Sequence, residues 1–200
     1  CGGGICARIQ KESGNFMIVT LASASPRRRE LIKKIPWLEV KIVPSGADEN
    51  VFASDPKEFV EKLALKKAQC VFDRCGGTVI GADTVVVAGG RILGKPISAE
   101  EARAFFKLLC GIEHSVITGI AIVSKGKTVT ASEITKVEFL PYDDAIVEKY
   151  IASGAPFDKA GGYGIQDDGI KPIVRKITGD MDNVIGLPVK LLKETLEEFF

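Results

Sequence analysis

From Met17 onward, strand-like runs and helix-like segments take turns along the chain, and this alternation restricts it to an α/β arrangement. MIVTLAS at 17–23 is rich in strand formers. Ser25 then supplies an N-cap and Pro26 a first helical position, which predicts a helix over 26–35. EVKIV at 39–43 reads as a second strand. Over 56–74, Phe59, Val60, Leu63, Ala64, Ala68, Val71 and Phe72 recur on one helical face. TVIGADTVVV at 78–87 reads as a buried strand and AGGRILG as a hairpin or tight turn. Residues 98–110 form a helix capped by Ser98, with Glu101 at the capping-box position.

Two long strands follow, VITGIAIVSK and KTVTASEITKVEF, joined near Gly126. A helix at 142–153 turns Ile146, Val147, Tyr150 and Ile151 inward and stops at Gly154. A glycine-rich loop at 154–171, a strand near 172–177 and a helix at 188–198 complete the reading. Alternation early and paired strands later predict a mixed sheet with helices on its faces.

Two hundred residues suit one domain or two tightly joined lobes, here residues 16–200. Residues 1–15 are glycine-rich without apolar period and are expected to be a flexible extension ahead of a natural start at Met17. Lys plus Arg is 27 and Asp plus Glu 26, so the chain lacks the basic excess of a general nucleic-acid binder. No apolar run approaches the ~20 residues of a membrane span, and no secretion signal is visible. Cys1, Cys6, Cys70, Cys75 and Cys110 are odd in number and lack CxxC spacing, which argues against a disulfide framework or a zinc site. A reduced, cytoplasmic setting is expected.

Three stretches carry chemistry. In LASASPRRRE a strand runs through a short Ser-Ala-Ser turn into a helix start, where unpaired backbone N–H groups attract anions. Arg27 and Arg28 follow in the first turn. Their forked guanidinium groups suit phosphate oxygens, although solvated surface arginines would look the same. Ser23, Ser25, Arg27 and Arg28 are therefore candidate substrate-binding residues. In VIGADTVVV, Asp83 interrupts an apolar strand, a costly place for a carboxylate unless it is paired or metal-bound. It could hold Mg²⁺, take a proton from water, or bond backbone at a bulge marked by Gly81. In GAPFDKAGGYGIQDDG, glycines let backbone approach a ligand, Asp158 and Lys159 form a charged pair, and Gln166 offers both donor and acceptor to a base edge.

Glu49, Lys67 and Lys95 say little by position alone. No GxxxxGKS/T and no GxSxG is present, and GADTVVVAGG does not match a dinucleotide fingerprint. The single histidine, His114, cannot build both a metal site and a triad, so a hydrogen-bonded structural role is expected of it.

Together, SASPRR at 23–28, ADE at 47–49, LALKKA at 63–68, GADTVV at 81–86, GKP at 94–96, GIEHSVITG at 111–119, DKAGGYGIQ at 158–166 and NVIGLP at 183–188 resemble the Maf family of nucleoside-triphosphate pyrophosphatases. The resemblance implies a two-lobed α/β fold like that of the inosine-triphosphate pyrophosphatases: an elongated mixed sheet, flanking helices and a cleft between lobes. It further implies a homodimer, dependence on Mg²⁺ or Mn²⁺, and release of pyrophosphate from a nucleoside triphosphate. Position by position, Asp83 matches the proposed catalytic carboxylate, Glu49 an acid near the metal, and Arg27, Lys67 and Lys95 cations facing the phosphates. Thr84, Gln166 and Arg27 match positions tied to substrate choice. The ending GYGIQ looks like the branch acting on dTTP and UTP. Alternatives are a pyrophosphatase for 7-methyl-GTP or other modified nucleotides, and a nucleotide-binding regulator of septation with little turnover. AGGYGIQ stands where many relatives have AGAYGIQ, a conservative departure. No nucleic-acid or membrane partner is expected.

Overall fold

A computed structural model describes residues 16–200. The extension expected at 1–15 lies outside them. In chain order the elements are β1 (Met17–Leu21), α1 (Pro26–Ile32), β2 (Leu38–Ile42), α2 (Pro56–Cys75), β3 (Val79–Ala88) and β4 (Arg91–Leu93). There follow α3 (Ala99–Leu109), β5 (Glu113–Ser124), β6 (Lys127–Phe139), α4 (Asp144–Ala152), β7 (Val174–Thr178), α5 (Met181–Ile185) and α6 (Val189–Phe199). The strands form one seven-stranded sheet in the order β2-β1-β3-β5-β6-β7, with β4 paired to β3. β1 runs parallel to β2 and β3, and the remaining pairs are antiparallel, so the sheet is mixed as expected.

The long central strands show how the core is divided. Side chains alternate between faces along a strand. On β3, Val79, Gly81, Asp83 and Val85 point to the face that α2 covers. Ile80 and Ala82, then Val86 and Ala88, point to the other face, where they enter two separate apolar clusters. Ile80 and Ala82 join the cluster of β1, α1 and α6, whereas Val86 and Ala88 join that of α3 and α4. Thr84 stands between them. On β5, Thr118 is the register partner of Thr84 and likewise separates Val116 from Ile120. A polar belt thus crosses the sheet between two apolar cores.

α2 lies unusually close to the sheet. A Cβ on Gly81 would fall 2.1 Å from the Ala64 carbonyl oxygen, and one on Gly119 would fall 2.5 Å from the Val60 carbonyl carbon. Gly81 keeps regular register with Ala121, so it marks close approach and not the bulge left open by the sequence.

Several local expectations are corrected. α1 ends at Ile32, and not at 35, because Pro36 disfavours helical backbone at Ile35. Ile35 instead turns into the core. Ser98 caps α3 by accepting the Glu101 N–H at 3.2 Å, but Glu101 reaches back to the Ile97 N–H at 2.7 Å and not to Ser98's own. The 154–171 segment is not an open loop. It contains short 3₁₀ turns at Ala155–Asp158 and Ala160–Gly162, runs into a third at Lys171–Ile173 ahead of β7, and buries Tyr163, Ile165 and Ile170. The sequence reading also missed α5, which Asp180 caps through the Asp182 N–H and Gly186 closes.

His114 takes the structural position expected of it. It is 2% exposed, its Nε2 lies 2.8 Å from the Tyr163 hydroxyl, and its ring packs edge-on against Phe139. Burial lowers its pKa to about 4 from an ordinary 6.5. The unfolded chain therefore binds the extra proton more readily than the native one. The stability conferred by neutral His114 is complete above pH ~6.5 and is lost as pH falls toward ~4, by about 3 kcal/mol in total. Urea midpoints measured between pH 7.5 and 4.5 should decline across that window (roughly the span between the two pKa values). A His114→Gln variant should show a shallower decline.

Candidate active site

A cleft of about 460 Å³ opens beside the polar belt. Its walls bring together Ser25, Arg27, Arg28, Glu49, Lys67, Asp83, Thr84, Lys95, Lys159 and Gln166, all but one of the residues singled out from sequence. Ser23 is the exception. It is buried, and its hydroxyl accepts the Ser25 N–H at 3.2 Å, so it braces the turn and does not face the cavity.

α2 and β3 supply Lys67 and Asp83. The close approach at Gly81 lays α2 against the strand two residues before Asp83, and Lys67 from that helix meets the carboxylate. Lys67 Nζ lies 2.6 Å from Asp83 Oδ1 and 2.8 Å from Glu49 Oε1. The ammonium thus stands between the two acids assigned to a metal by resemblance, compensating both. Asp83 is buried, whereas the Glu49 side chain is largely exposed. The hydrogen bond from Lys67 is the main cause that holds Glu49's carboxyl below its ordinary pKa. Among the described residues only Lys67 donates to Asp83, through Oδ1, and Asp83 lines the cleft.

Ser25 caps α1 by accepting the Arg28 N–H at 3.4 Å. At seven residues α1 has little macrodipole to offer, so the arginine side chains carry the charge. Arg28 is held firmly: Nε donates to the Gly186 carbonyl at 2.7 Å and Nη2 to Thr84 Oγ1 at 3.0 Å. Burial lowers the Arg28 pKa, and the charge of Asp83 opposes that shift. The belt beneath has a defined direction. Thr118 donates its only proton to the Asn183 carbonyl at 3.0 Å, so across the 2.9 Å contact Thr84 is the donor and Thr118 the acceptor. Thr84 is therefore a link from Arg28 to the buried Asn183, as well as part of the wall. Sequence gave no hint of this chain.

The glycine-rich segment forms the facing wall. Tyr150 donates to Asp167 Oδ2 at 2.5 Å and accepts the Gly164 N–H at 3.0 Å. Ile165 is buried on one side of exposed Gln166, and Asp167 is tied down on the other. Lys159 lies 3.3 Å from Asp167 and donates at 2.7 Å to both Asp158 and the Ala155 carbonyl. Asp158 also pairs with Arg27 at 2.9 Å. Burial raises the Asp158 pKa, but the bonds from Lys159 and Arg27 outweigh it and hold the carboxyl low. The clamp made by Tyr150 and Asp167 is not foreseen from sequence; adjacency to Gln166 and the inward face of α4 were the available signals.

The cleft offers one more cation than acids: Arg27, Arg28, Lys67, Lys95 and Lys159 against Glu49, Asp83, Asp158 and Asp167. Fold and site together define an α/β protein with a cavity of about 460 Å³ lined by five cations and four acids, one of them the buried Asp83. The fold is shared by the Ham1 proteins of Staphylococcus aureus and Coxiella burnetii, each with TM-score 0.56 and 15% identity. The first match covers 90% of this chain and 98% of the other, the second 92% and 100%.

The chain belongs to the Maf family: the model described as Maf-like protein matches residues 18–199. The dTTP/UTP pyrophosphatase of Thermococcus onnurineus is 45% identical over 175 residues, covering 88% of this chain and 94% of that protein. The protein of the same name from Bacillus cereus strain ATCC 10987 is 43% identical over 197 residues, covering 98% and 96%.

Proposed function

We propose that this protein hydrolyses dTTP and UTP to the nucleoside monophosphate and pyrophosphate. The observation that carries the reading is the single cleft lined by Asp83 and Glu49 together with Arg27, Lys95 and Lys159. The names of the relatives support the reaction and the pyrimidine substrates.

The nucleoside and triphosphate lie along the cleft, with the α-phosphorus near Asp83. Asp83 Oδ2 orients a water molecule and accepts its proton as the water oxygen bonds to the α-phosphorus. The bond from that phosphorus to the bridging oxygen breaks, and pyrophosphate leaves with the electron pair. Arg27, Lys95 and Lys159 meet the charge that develops on it. Lys67 holds Asp83 and Glu49 in place, and Arg28, fixed by Gly186 and Thr84, supplies charge that does not need to be ordered on binding.

Mg²⁺ or Mn²⁺ belongs to the same proposal. The described residues contain no group of three or more His, Cys, Asp or Glu able to cage a metal. Two hard carboxylates nevertheless fit Mg²⁺, which takes one or two protein carboxylates and fills its shell with water and substrate phosphate. Asp83 and Glu49 would hold it, and it would supply charge neutralisation at the phosphates.

The two apolar clusters that meet at the Thr84–Thr118 belt act as lobes of one catalytic domain over 16–200, with the cleft between them. Homodimer formation is also proposed. Phe52 and Ile97 are 96% and 92% exposed and lie within three residues of Glu49 and Lys95, which gives a second subunit apolar surface to cover. A cytoplasmic setting belongs to the same proposal; among the described residues Cys70, Cys75 and Cys110 form no disulfide. No helix among the described residues is long and apolar enough to cross a membrane.

Rates on UTP, dTTP, CTP, GTP and 7-methyl-GTP test the substrate reading, with UTP and dTTP expected to lead. Equal rates on all five would defeat it. Gln166, presented by the clamped segment, can pair with N3–H and O4 of uracil or thymine. Gln166→Ala should lower kcat/KM for UTP by about tenfold or more and narrow its lead over CTP, since a site built for a hydrogen bond discriminates through it.

A further inference from the structure

Arg27 comes from α1 and Lys159 from the glycine-rich segment, yet the same carboxylate holds both. Arg27 Nη1 donates to Asp158 Oδ2 at 2.9 Å and Nη2 to the Asp158 carbonyl at 3.3 Å. Lys159 Nζ donates to Asp158 Oδ1 at 2.7 Å. The two carboxylate oxygens therefore meet these cations as two oxygens of a phosphate would. Of the other cleft cations, Lys67 is engaged by Asp83 and Glu49 and Arg28 by Gly186 and Thr84, while Lys159 is steadied further by the Ala155 carbonyl at 2.7 Å and Asp167 at 3.3 Å. The Asp158 side chain is 63% exposed, so it can swing into solvent at little cost.

We propose that Asp158 is a built-in counter-anion that occupies the polyphosphate's place. It keeps Arg27 and Lys159 aimed at the cleft when no ligand is bound, yields to the multiply charged triphosphate, and pairs with them again as pyrophosphate departs. The proposal rests on the reading of the cleft as a triphosphate site. Without such a competitor, pyrophosphate left among these cations would be held tightly and would slow the next turnover. Asp158 is thus a positioning residue that acts through Arg27 and Lys159, and its removal strengthens binding of an anion where loss of a ligand contact would weaken it.

Calorimetric titration of inorganic pyrophosphate into the wild type, Asp158→Asn and Asp158→Glu at fixed ionic strength tests this. Asp158→Asn should tighten Kd by about tenfold, and Asp158→Glu should stay within about twofold of wild type. In UTP turnover, Asp158→Asn should lower KM and kcat together. Unchanged or weaker pyrophosphate binding by Asp158→Asn overturns the proposal, as does equal tightening by Asp158→Glu. A wild type that turns over UTP while the Asn variant binds no tighter defeats the counter-anion alone. A wild type that neither binds pyrophosphate nor releases it from UTP defeats the cleft reading as well.

Discussion

Asp83→Asn is expected to lower kcat on UTP by about a thousandfold while the protein stays folded, since a positioned general base contributes roughly 10²–10⁴-fold. Asn keeps the shape of the side chain but loses the charge that balances Lys67 and that, in the proposed mechanism, orients water. Asp83 is buried in the wall of the cleft, with one oxygen engaged by Lys67. Lys67 retains Glu49 as a partner, so the variant does not strand an unpaired ammonium in the interior. KM should change far less than kcat, because the proposed mechanism has the group act on the reacting water more than on substrate binding. Steady-state kinetics with a circular-dichroism melt as fold control would show this. Near-normal turnover by a folded Asp83→Asn protein would remove Asp83 from the mechanism.

The largest effect on stability should come from a single methyl group at Gly81. A Cβ there meets the Ala64 carbonyl oxygen at 2.1 Å and the Ala68 nitrogen at 2.9 Å, both backbone atoms of α2 that cannot rotate away. Either the helix shifts outward or the strand does. Overpacking of this kind costs typically 1–3 kcal/mol, and contact with backbone puts Gly81→Ala at about 3 kcal/mol or beyond. The shift also changes chemistry, because α2 delivers Lys67 to Asp83. Gly81→Ala should therefore lose activity even at temperatures where it remains folded. Denaturant unfolding and kcat measured on the same sample separate the two losses. A variant of wild-type stability would show that α2 does not sit as close to the sheet as described.

Much of this fold was legible because its elements carry strong local signals. The helical face running from Phe59 to Phe72 gave α2 nearly to the residue, and Gly126 marked the turn between the two longest strands. α5 was overlooked because five residues hold barely more than one turn of periodicity, and only the Asp180 cap and Gly186 betray it. The segment after Gly154 looked like a loop because its glycines mask three short 3₁₀ turns, whose order comes from burying Tyr163, Ile165 and Ile170 against distant elements.

The site was legible by residue type more than by role. Buried Asp83 announced itself as a charge in an apolar strand. The pairing of Lys67 with two acids, the hold of Asp158 on Arg27, and the chain from Arg28 through Thr84 and Thr118 to Asn183 all join residues at least 16 positions apart. No local pattern encodes such contacts; the sheet register and the seating of α2 create them.

The most direct test of the catalytic cleft is hydrolysis of UTP in ¹⁸O-labelled water with Mg²⁺, followed by mass spectrometry of both products. The expected result is one ¹⁸O in UMP and none in pyrophosphate, as attack on the α-phosphorus beside Asp83 requires. Label in pyrophosphate, or release of UDP and inorganic phosphate, would contradict it.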